Sequence, residues 1–372
     1  MAERVLVAMS GGVDSSATAL LLRQKGFDLV GLFMRTGEHG SAVETAPSRK
    51  KGCCSALDAG DARRVADLLD MPFHALDFEE DFGRIVDRFV DEYRAGRTPN
   101  PCVACNNWLK FGRLAEMADR LECRWIATGH YAQVLRPAGQ GPAELHRGLD
   151  PAKDQSYVLH GIRPEVLERV LFPVGGLPKT QVREIAQEAG LPVFAKPDSV
   201  EICFVPDQDH VGLVRRLRPG QSVPGEIIDT EGNRLGRHDG LERFTIGQRK
   251  GLGLGGGKPR YVLQLIPDQG TVVVGDRDER QTLSLVSVDF SWLAPVPDPS
   301  EPLLAQCRYR QEPLPARVEV QENGSVRVFF QDPQGGISPG QSVVLYRGTR
   351  VLGGGTIEGT ELDNESTKKI NN

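Results

Sequence analysis

No apolar run in this 372-residue chain approaches the ~20 residues that cross a bilayer, which excludes a helical membrane span. The chain does not open on a basic leader followed by an apolar segment, so export is not expected and a cytoplasmic location is. Cysteine is scarce: seven residues, an odd number in so long a chain, do not make a secreted disulfide framework. In a reducing compartment any disulfide would be catalytic or transient. Excess positive charge is also missing. A net charge of −5 and a pI near 5.9 argue against a nucleic-acid partner unless a local basic face supplies the attraction. There is no internal repeat and no long Gly/Ser linker. The length exceeds that of one core, so two or three closely joined domains are expected.

What is present starts at residue 4, with Arg-Val-Leu-Val-Ala-Met-Ser-Gly-Gly-Val-Asp-Ser-Ser. A strand-type run breaks at Ser10-Gly11-Gly12, and a helical pattern follows at once, with Asp14 or Ser15 as the expected N-cap and Gly26 as the stop. Two glycines let backbone N–H groups approach a phosphate, and the free donors and dipole of a helix start favour negative charge. The lysine of a GxxxxGK(S/T) loop is missing, and the GxGxxG dinucleotide spacing is not met. A tight turn without ligand is the bland alternative. The full string Ser10-Gly11-Gly12-Val13-Asp14-Ser15-Ser16, directly after a strand, favours a nucleotide. It resembles the pyrophosphate loop (PP-loop) of ATP pyrophosphatases, which adenylylate a carbonyl or carboxylate oxygen and release pyrophosphate.

Up to about residue 135, strand-like runs at 4–9, 29–34, 73–77 and 125–128 alternate with amphipathic stretches at 14–25, 59–69, 82–94 and 108–120. The alternation predicts βαβ units and a parallel sheet. Further helical patterns lie at 164–171 and 180–188. From about residue 222, short alternating runs separated by Gly, Pro and Asp-Gly predict small barrels or sandwiches. Residues 294–299, with three prolines, read as a stiff connection inside this half. The expected fold class is therefore an α/β N-terminal domain followed by two small β-rich domains, the last a β-barrel. The expected boundaries are 1–208, 209–282 and 283–362, with a polar tail at 363–372.

The second chemical feature is cysteine. Thr98-Pro99-Asn100-Pro101-Cys102-Val103-Ala104-Cys105-Asn106 carries two prolines, so a defined loop is expected there. A CxxC pair suits a redox couple, half of a zinc site or part of an iron–sulfur site. No second CxxC exists. Cys53-Cys54 is an awkward source of further ligands, since neighbouring cysteines fit one tetrahedral site poorly. Cys203 follows about a hundred residues on; Cys123 and Cys307, inside amphipathic or strand patterns, read as inert core residues. A thiolate, or a persulfide built on one, displaces AMP from an adenylylated oxygen far better than a hydroxyl does. Two cysteines able to approach each other let one carry sulfur and the other release it.

In this order of motifs the chain resembles the tRNA-specific 2-thiouridylase (MnmA) family along nearly its whole length. The shared strings include Ser10 to Ser16, Gly96-Arg97-Thr98-Pro99-Asn100-Pro101, Cys105-Asn106, Lys110-Phe111-Gly112, Ala127-Thr128-Gly129-His130-Tyr131 and Lys153-Asp154-Gln155-Ser156-Tyr157. They continue with Ile202-Cys203-Phe204, the run from Phe244 to Leu252, and Pro339-Gly340-Gln341. The resemblance implies a PP-loop domain of the adenine-nucleotide α-hydrolase type. It implies ATP-dependent replacement of O2 by sulfur on the wobble uridine, U34, of the tRNAs for Lys, Glu and Gln, with Mg²⁺ accompanying ATP. A sulfur-relay protein or cysteine desulfurase would be the persulfide donor.

By the same resemblance Ser10, Gly11, Gly12, Val13, Asp14, Ser15 and Ser16 hold the ATP phosphates, with Met34 and Gly129 near the adenine and ribose. Cys105 is the nucleophile and Cys203 receives persulfide sulfur. Asn100, Pro101 and Cys102 contact the flipped base. His130, Lys153, Asp154, Gln155, Arg308, Tyr309 and Gln341 touch tRNA. The bland alternatives are a buried hydrogen bond for His130 and a solvated ion pair for Lys153 and Asp154.

Some family members carry Asp where this chain has Cys102. The departure leaves three cysteines, Cys102, Cys105 and Cys203, which would suit a 4Fe–4S cluster binding exogenous sulfide. A persulfide relay with a Cys105–Cys203 disulfide competes with it. Between Arg215 and Arg260 ten Lys or Arg stand against five Asp or Glu, and residues 248–260 hold four cations and no acid. Such a glycine-rich basic stretch could track a phosphate backbone. Two other classes stay open: a PP-loop amidotransferase acting on a small carboxylate, which needs no cysteines, and a zinc-bearing tRNA-binding module, which needs no loop.

Overall fold

The computed structural model describes residues 2–37, 56–137, 141–198, 202–255, 258–279 and 281–362. Cys53, Cys54 and the 363–372 tail lie outside the described residues, as do Gly256 and Gly257 of the basic stretch.

The first module is built on β1 (Arg4–Ala8), β2 (Asp28–Arg35), β3 (Phe73–Asp77), β4 (Trp125–Ala127), the hairpin β5 (Ala132–Leu135) and β6 (Glu144–Arg147), and β7 (Val170–Leu171). Five of these strands form a sheet in the order β3-β2-β1-β4-β7, every neighbour parallel. Its central strands are buried on both faces, so they read as continuous apolar runs. Helices α1 (Val13–Gln24), α2 (Ala56–Leu68), α3 (Glu79–Arg94), α4 (Pro101–Ala104), α5 (Leu114–Arg120), α6 (Pro164–Leu167), α7 (Lys179–Glu188) and α8 (His210–Leu217) surround it. Between α4 and α5 the chain runs as a π-helix over Cys105–Arg113, so residues 101–120 form one continuous helical rod.

Two expectations are corrected here. The helical pattern at 164–171 ends early: α6 stops at Leu167, and Val170-Leu171 become the edge strand. Two apolar residues are too short a run to announce a strand. The 98–106 segment is not a loop throughout. Pro101 occupies the first helical turn, where its missing N–H costs nothing, and Asn100 caps it by accepting from the Val103 N–H at 3.4 Å. Both cysteines of the CxxC pair are therefore helical.

The second module pairs β8 (Gly225–Ile228), β9 (Arg234–His238), β10 (Tyr261–Ile266) and β11 (Thr271–Gly275) in the order β10-β11-β8-β9. Helix α8, just before it, packs on the first module: Leu213 and Val214 join that core, and Arg218 pairs with Asp87 and Asp91 of α3.

The third module comprises β12 (Gln281–Trp292), β13 (Leu303–Gln306), β14 (Leu314–Val320), β15 (Val326–Gly335), β16 (Ser342–Arg347) and β17 (Arg350–Leu362). Because β12 pairs with both β15 and β17, the order β12-β15-β14-β13-β16-β17 closes into a six-stranded barrel. Closure removes the exposed edges. The β5–β6 hairpin of the first module adds to the outside of β17, with His146 opposite Arg350.

Candidate active site

In an open parallel sheet, ligands bind outside the carboxyl ends of the strands, where the strand order reverses. Here the reversal falls between β1 and β4. The Ser10-Gly11-Gly12 turn follows β1, Met34 lies near the end of β2, and Gly129 follows β4, so the expected nucleotide residues share one edge. The helix starts earlier than the sequence pattern suggests. Gly12 is the N-cap and no side chain caps α1; Asp14 and Ser15 lie inside its first turn. Ser15 and Ser16 turn their hydroxyls back to the Gly12 carbonyl at 3.2 and 2.9 Å, and Ser15 Oγ accepts the Ser10 N–H at 3.1 Å. The first-turn amides are thereby left for an external acceptor, the arrangement that suits a phosphate.

Glycine is required by close approach at two points. Gly11 has φ +69°, and a Cβ there would sit 2.2 Å from the Asp58 carbonyl. At Gly129 a Cβ would lie 2.8 Å from the Ser15 nitrogen.

Asp14 is the centre of a network the sequence pattern did not disclose. Tyr131 donates its hydroxyl to Asp14 at 2.7 Å, and Lys179 reaches both carboxylate oxygens at 2.6 and 2.8 Å. Lys179 is only 8% exposed and pairs on its other side with Asp198 at 2.9 Å. Asp198 also takes Lys153 at 2.7 Å and Arg183 at 2.5 Å. Burial alone would raise the Asp198 carboxyl, but the hydrogen bonds from Lys153 and Lys179 outweigh it and hold it at about 2. Lys196 ties the turn to α2, donating to the Gly11 carbonyl at 2.8 Å and to Asp58 and Asp61. One signal was present: Lys179 opens a helix, where the dipole disfavours a cation, so a lysine there asks for carboxylate partners.

Two of the cysteines pack against the core of the same module. Cys102 is exposed, while Cys105 and Cys203 are half-buried. Met34, Cys105 and Cys203 all border one hydrophobic cluster, in which Phe204 packs edge-on against Phe82 and Phe89 of α3. The π-helix opens at Cys105, and its wider turn sets the Asn107 carbonyl 3.1 Å from where a Cβ at 112 would be. That accounts for glycine in Lys110-Phe111-Gly112. Cys123 and Cys307 are buried, and burial pushes their thiols up to about 11 and about 12, as inert core residues require.

Both β modules grip the segment leading into α4. A Cβ on Gly96, at φ +67°, would meet Pro267 of the second module at 3.0 Å. The Thr98 N–H donates to the Pro339 carbonyl at 2.8 Å, and Gln341 donates to the carbonyls of Thr98 and Pro99. Gln341 thus places Asn100 and Pro101 from the barrel side.

The remaining expected tRNA contacts divide. His130 is buried between Phe111 and Phe172, with Thr128 at 2.6 Å from one ring nitrogen and Lys110 at 3.4 Å from the other. Burial, and then Lys110, push its pKa well below the usual histidine value. Asp154 accepts from the N–H groups of Gly148 and Ser156 and from the Ser156 hydroxyl, and Gln155 accepts from the Tyr131 N–H, so both shape the loop locally. Arg308 and Tyr309 are exposed on the barrel; Arg308 donates to the Ile246 carbonyl of the second module at 3.3 Å. In the basic segment, Arg215, Arg218, Arg234 and Arg243 are engaged in ion pairs, and Arg216, Arg237, Arg249, Lys250 and Lys258 are exposed.

Among the described residues no three His, Cys, Asp or Glu side chains gather as a metal site. Cys102, Cys105 and Cys203 therefore do not form the three-thiolate set that a 4Fe–4S cluster takes.

The family described as "tRNA methyl transferase HUP domain" matches residues 3–207. "tRNA methyl transferase PRC-barrel domain" matches 215–276, and "Aminomethyltransferase beta-barrel domain" matches 283–357. A tRNA-specific 2-thiouridylase MnmA of Rhodopirellula baltica is 45% identical over 384 residues, covering 95% of this chain and 96% of that protein. The MnmA of Carboxydothermus hydrogenoformans is 46% identical over 359 residues, covering 96% and 98%. This chain belongs to the tRNA-specific 2-thiouridylase (MnmA) family.

Proposed function

We propose that this protein is an ATP-dependent tRNA-uridine 2-sulfurtransferase acting on U34 of the tRNAs for Lys, Glu and Gln. The observation that carries the reading is the Ser10–Ser16 turn, with no side chain capping α1, at the carboxyl edge of the parallel sheet, with Met34, Cys105 and Cys203 packed against the core of the same module. The chemistry divides in two. Uridine O2 attacks the α-phosphorus of ATP, brought with Mg²⁺, and pyrophosphate leaves; the amides at the start of α1 and the Ser10–Ser16 turn hold the phosphates. A donor protein's persulfide then passes its outer sulfur to Cys203. The Cys105 thiolate attacks the inner sulfur, forming a Cys105–Cys203 disulfide and freeing hydrosulfide. Hydrosulfide attacks C2, AMP leaves with the C–O bonding pair, and a thiol reductant reopens the disulfide. The 4Fe–4S route would need Cys102, Cys105 and Cys203 to gather as thiolate ligands, and no such gathering is seen among the described residues. Asn100, Pro101 and Cys102 present the target base, which must leave the anticodon stack to be reached. Exposed Arg249, Lys250 and Lys258 supply the local basic face that an acidic protein needs for RNA.

The test is 2-thiouridine formation on unmodified glutamate tRNA, with ATP, Mg²⁺ and a persulfide donor. Cys105→Ser and Cys203→Ser are each expected to abolish thiolation. Thiolation persisting in Cys203→Ser would remove the relay, and no thiouridine with the unaltered protein would remove the function. An amidotransferase would keep its turnover in Cys105→Ser.

A further inference from the structure

The barrel and the first module share a polar joint centred on Arg147, at the end of β6. Its guanidinium lies 4.7 Å from the ring centre of the fully buried Tyr346 on β16. On one side it pairs with Asp154 at 3.5 Å, and on the other it donates to the buried Gln306 side-chain oxygen at 3.1 Å. The Tyr346 hydroxyl donates to the same oxygen at 3.1 Å, so two donors fix which end of the Gln306 amide faces inward. The NH₂ end is thereby turned to Arg308, donating to its backbone carbonyl at 2.9 Å. That carbonyl also accepts the Gln311 N–H at 3.1 Å, which closes a turn over residues 308–311. Arg310, third in the turn, has φ +64°, a conformation that favours Gly or Asn there and persists in arginine only where neighbours impose it. Tyr309, second in the turn, is 38% exposed and leans on buried Tyr157, with ring centroids 6.2 Å apart.

Stability alone does not explain an arginine in this joint. Desolvation offsets most of the attraction in a largely buried ion pair, and an apolar side chain of similar reach packs as well. What the planar fork adds is geometry, because one guanidinium spans Asp154 of the first module and Gln306 of the barrel. Asp154 in turn accepts from the N–H groups of Gly148 and Ser156, which shapes the Lys153–Gln155 segment. We propose that Arg147 and Gln306 are positioning residues for tRNA: through them the Lys153–Gln155 segment sets the pose of the Arg308–Tyr309 corner. The inference rests on the tRNA reading above. Arg147 acts through Asp154 and Gln306, and Gln306 acts through the Arg308 carbonyl. The inward fork, the oriented amide and the imposed backbone of Arg310 then have one common use.

The experiment measures steady-state thiolation by the full chain on unmodified glutamate tRNA, beside a melting curve for each variant. Tyr309→Ala removes the corner's exposed ring and is expected to lower kcat/KM for tRNA about tenfold. Arg147→Met fills the joint with an apolar side chain of similar reach. Gln306→Glu keeps an acceptor for Arg147 and Tyr346 but has no N–H for the Arg308 carbonyl. Both are expected to show a loss of similar size, through KM for tRNA rather than kcat. Combined with Tyr309→Ala, neither should add a further loss, because all three act through one corner. Gln306→Glu leaves the guanidinium in place, so the test stands on it even where Arg147→Met lowers the melting temperature. Losses that multiply in the double variants, or that fall in kcat, give Arg147 and Gln306 another role, and the inference falls. It falls as well if Tyr309→Ala thiolates with unchanged kcat/KM, since the corner then meets no tRNA. No thiouridine with the unaltered protein overturns the function itself.

Discussion

Gln341, in the barrel, donates its side-chain amide to the Thr98 carbonyl at 2.9 Å and to the Pro99 carbonyl at 3.3 Å. These residues are more than 240 positions apart in the chain. The contact explains why a catalytic α/β domain carries a barrel: the barrel fixes the segment from which Asn100, Pro101 and Cys102 enter α4. Gln341→Ala should therefore leave the fold intact but lower kcat/KM for tRNA about tenfold, the worth of one or two net hydrogen bonds. Steady-state kinetics beside a melting curve check this. Unchanged kinetics would mean that the segment is held by the Thr98–Pro339 backbone bond alone.

Gly11→Ala has no room. Its Cβ would meet backbone at 2.2 Å, and its φ of +69° disfavours any other residue. A loss of ~3 kcal/mol or more in stability is expected, with no measurable ATP binding. Calorimetric ATP titration and thermal unfolding read the two effects separately.

Lys179 stands between Asp14 and Asp198 and is nearly buried. In Lys179→Met two carboxylates would face each other without their shared cation, a change that costs roughly 3–5 kcal/mol when a buried pair is broken. The uncompensated Asp14 would also repel a triphosphate, so the Kd for ATP should rise. Lys179→Arg keeps the charge and should recover most of the ATP affinity. A Met variant with normal stability and affinity would reduce Lys179 to a spectator.

The sulfur relay has a chemical signature. At pH 8, thiols at about 11 and about 12 leave Cys123 and Cys307 almost wholly protonated, and both are buried. Iodoacetamide should label them only after unfolding, while Cys102, Cys105 and Cys203 react in the native protein. After one turnover without reductant, Cys105 and Cys203 should leave the reactive pool together, as peptide mass spectrometry would show. Loss of one without the other is incompatible with the disulfide step.

Much of this was legible because local rules agreed. The Phe73–Asp77 and Tyr261–Ile266 strands fall where periodicity puts them, and the Ser-Gly-Gly turn announces a helix start on an anion. The misreadings have local causes. Pro101 reads as a breaker, yet at the first helical turn it is a starter. The two longest strands, β12 and β17, carry several serines or glycines where they cross other elements, so no apolar alternation marks them. The Asp14–Lys179–Asp198 bridge spans residues far apart in sequence, and only the fold brings them together.

Acid should destabilise this protein in a window set by its buried histidines. Burial lowers His160 to about 4 from an ordinary value near 6.5, and burial lowers His130 and His210 in the same direction. The unfolded chain protonates these rings near pH 6.5, whereas folded His160 stays neutral down to about 4. Their neutral forms are thus compatible with full stability above pH 6.5, and stability declines as the pH falls toward 4 because the unfolded state binds the extra protons. Each ring contributes a slope of about 1.4 kcal/mol per pH unit inside its window. The depressed carboxyls act lower: Asp198 and Asp239, both at about 2, hold stability that is lost only below about 3.8. Chemical unfolding at half-unit steps from pH 7.5 to 2 separates the two. His160→Phe should flatten the curve between 6.5 and 4 by one proton's slope while leaving the decline below 3.8 unchanged. An identical slope in the variant would mean that the His160 ring is already protonated, or solvated, in the folded protein.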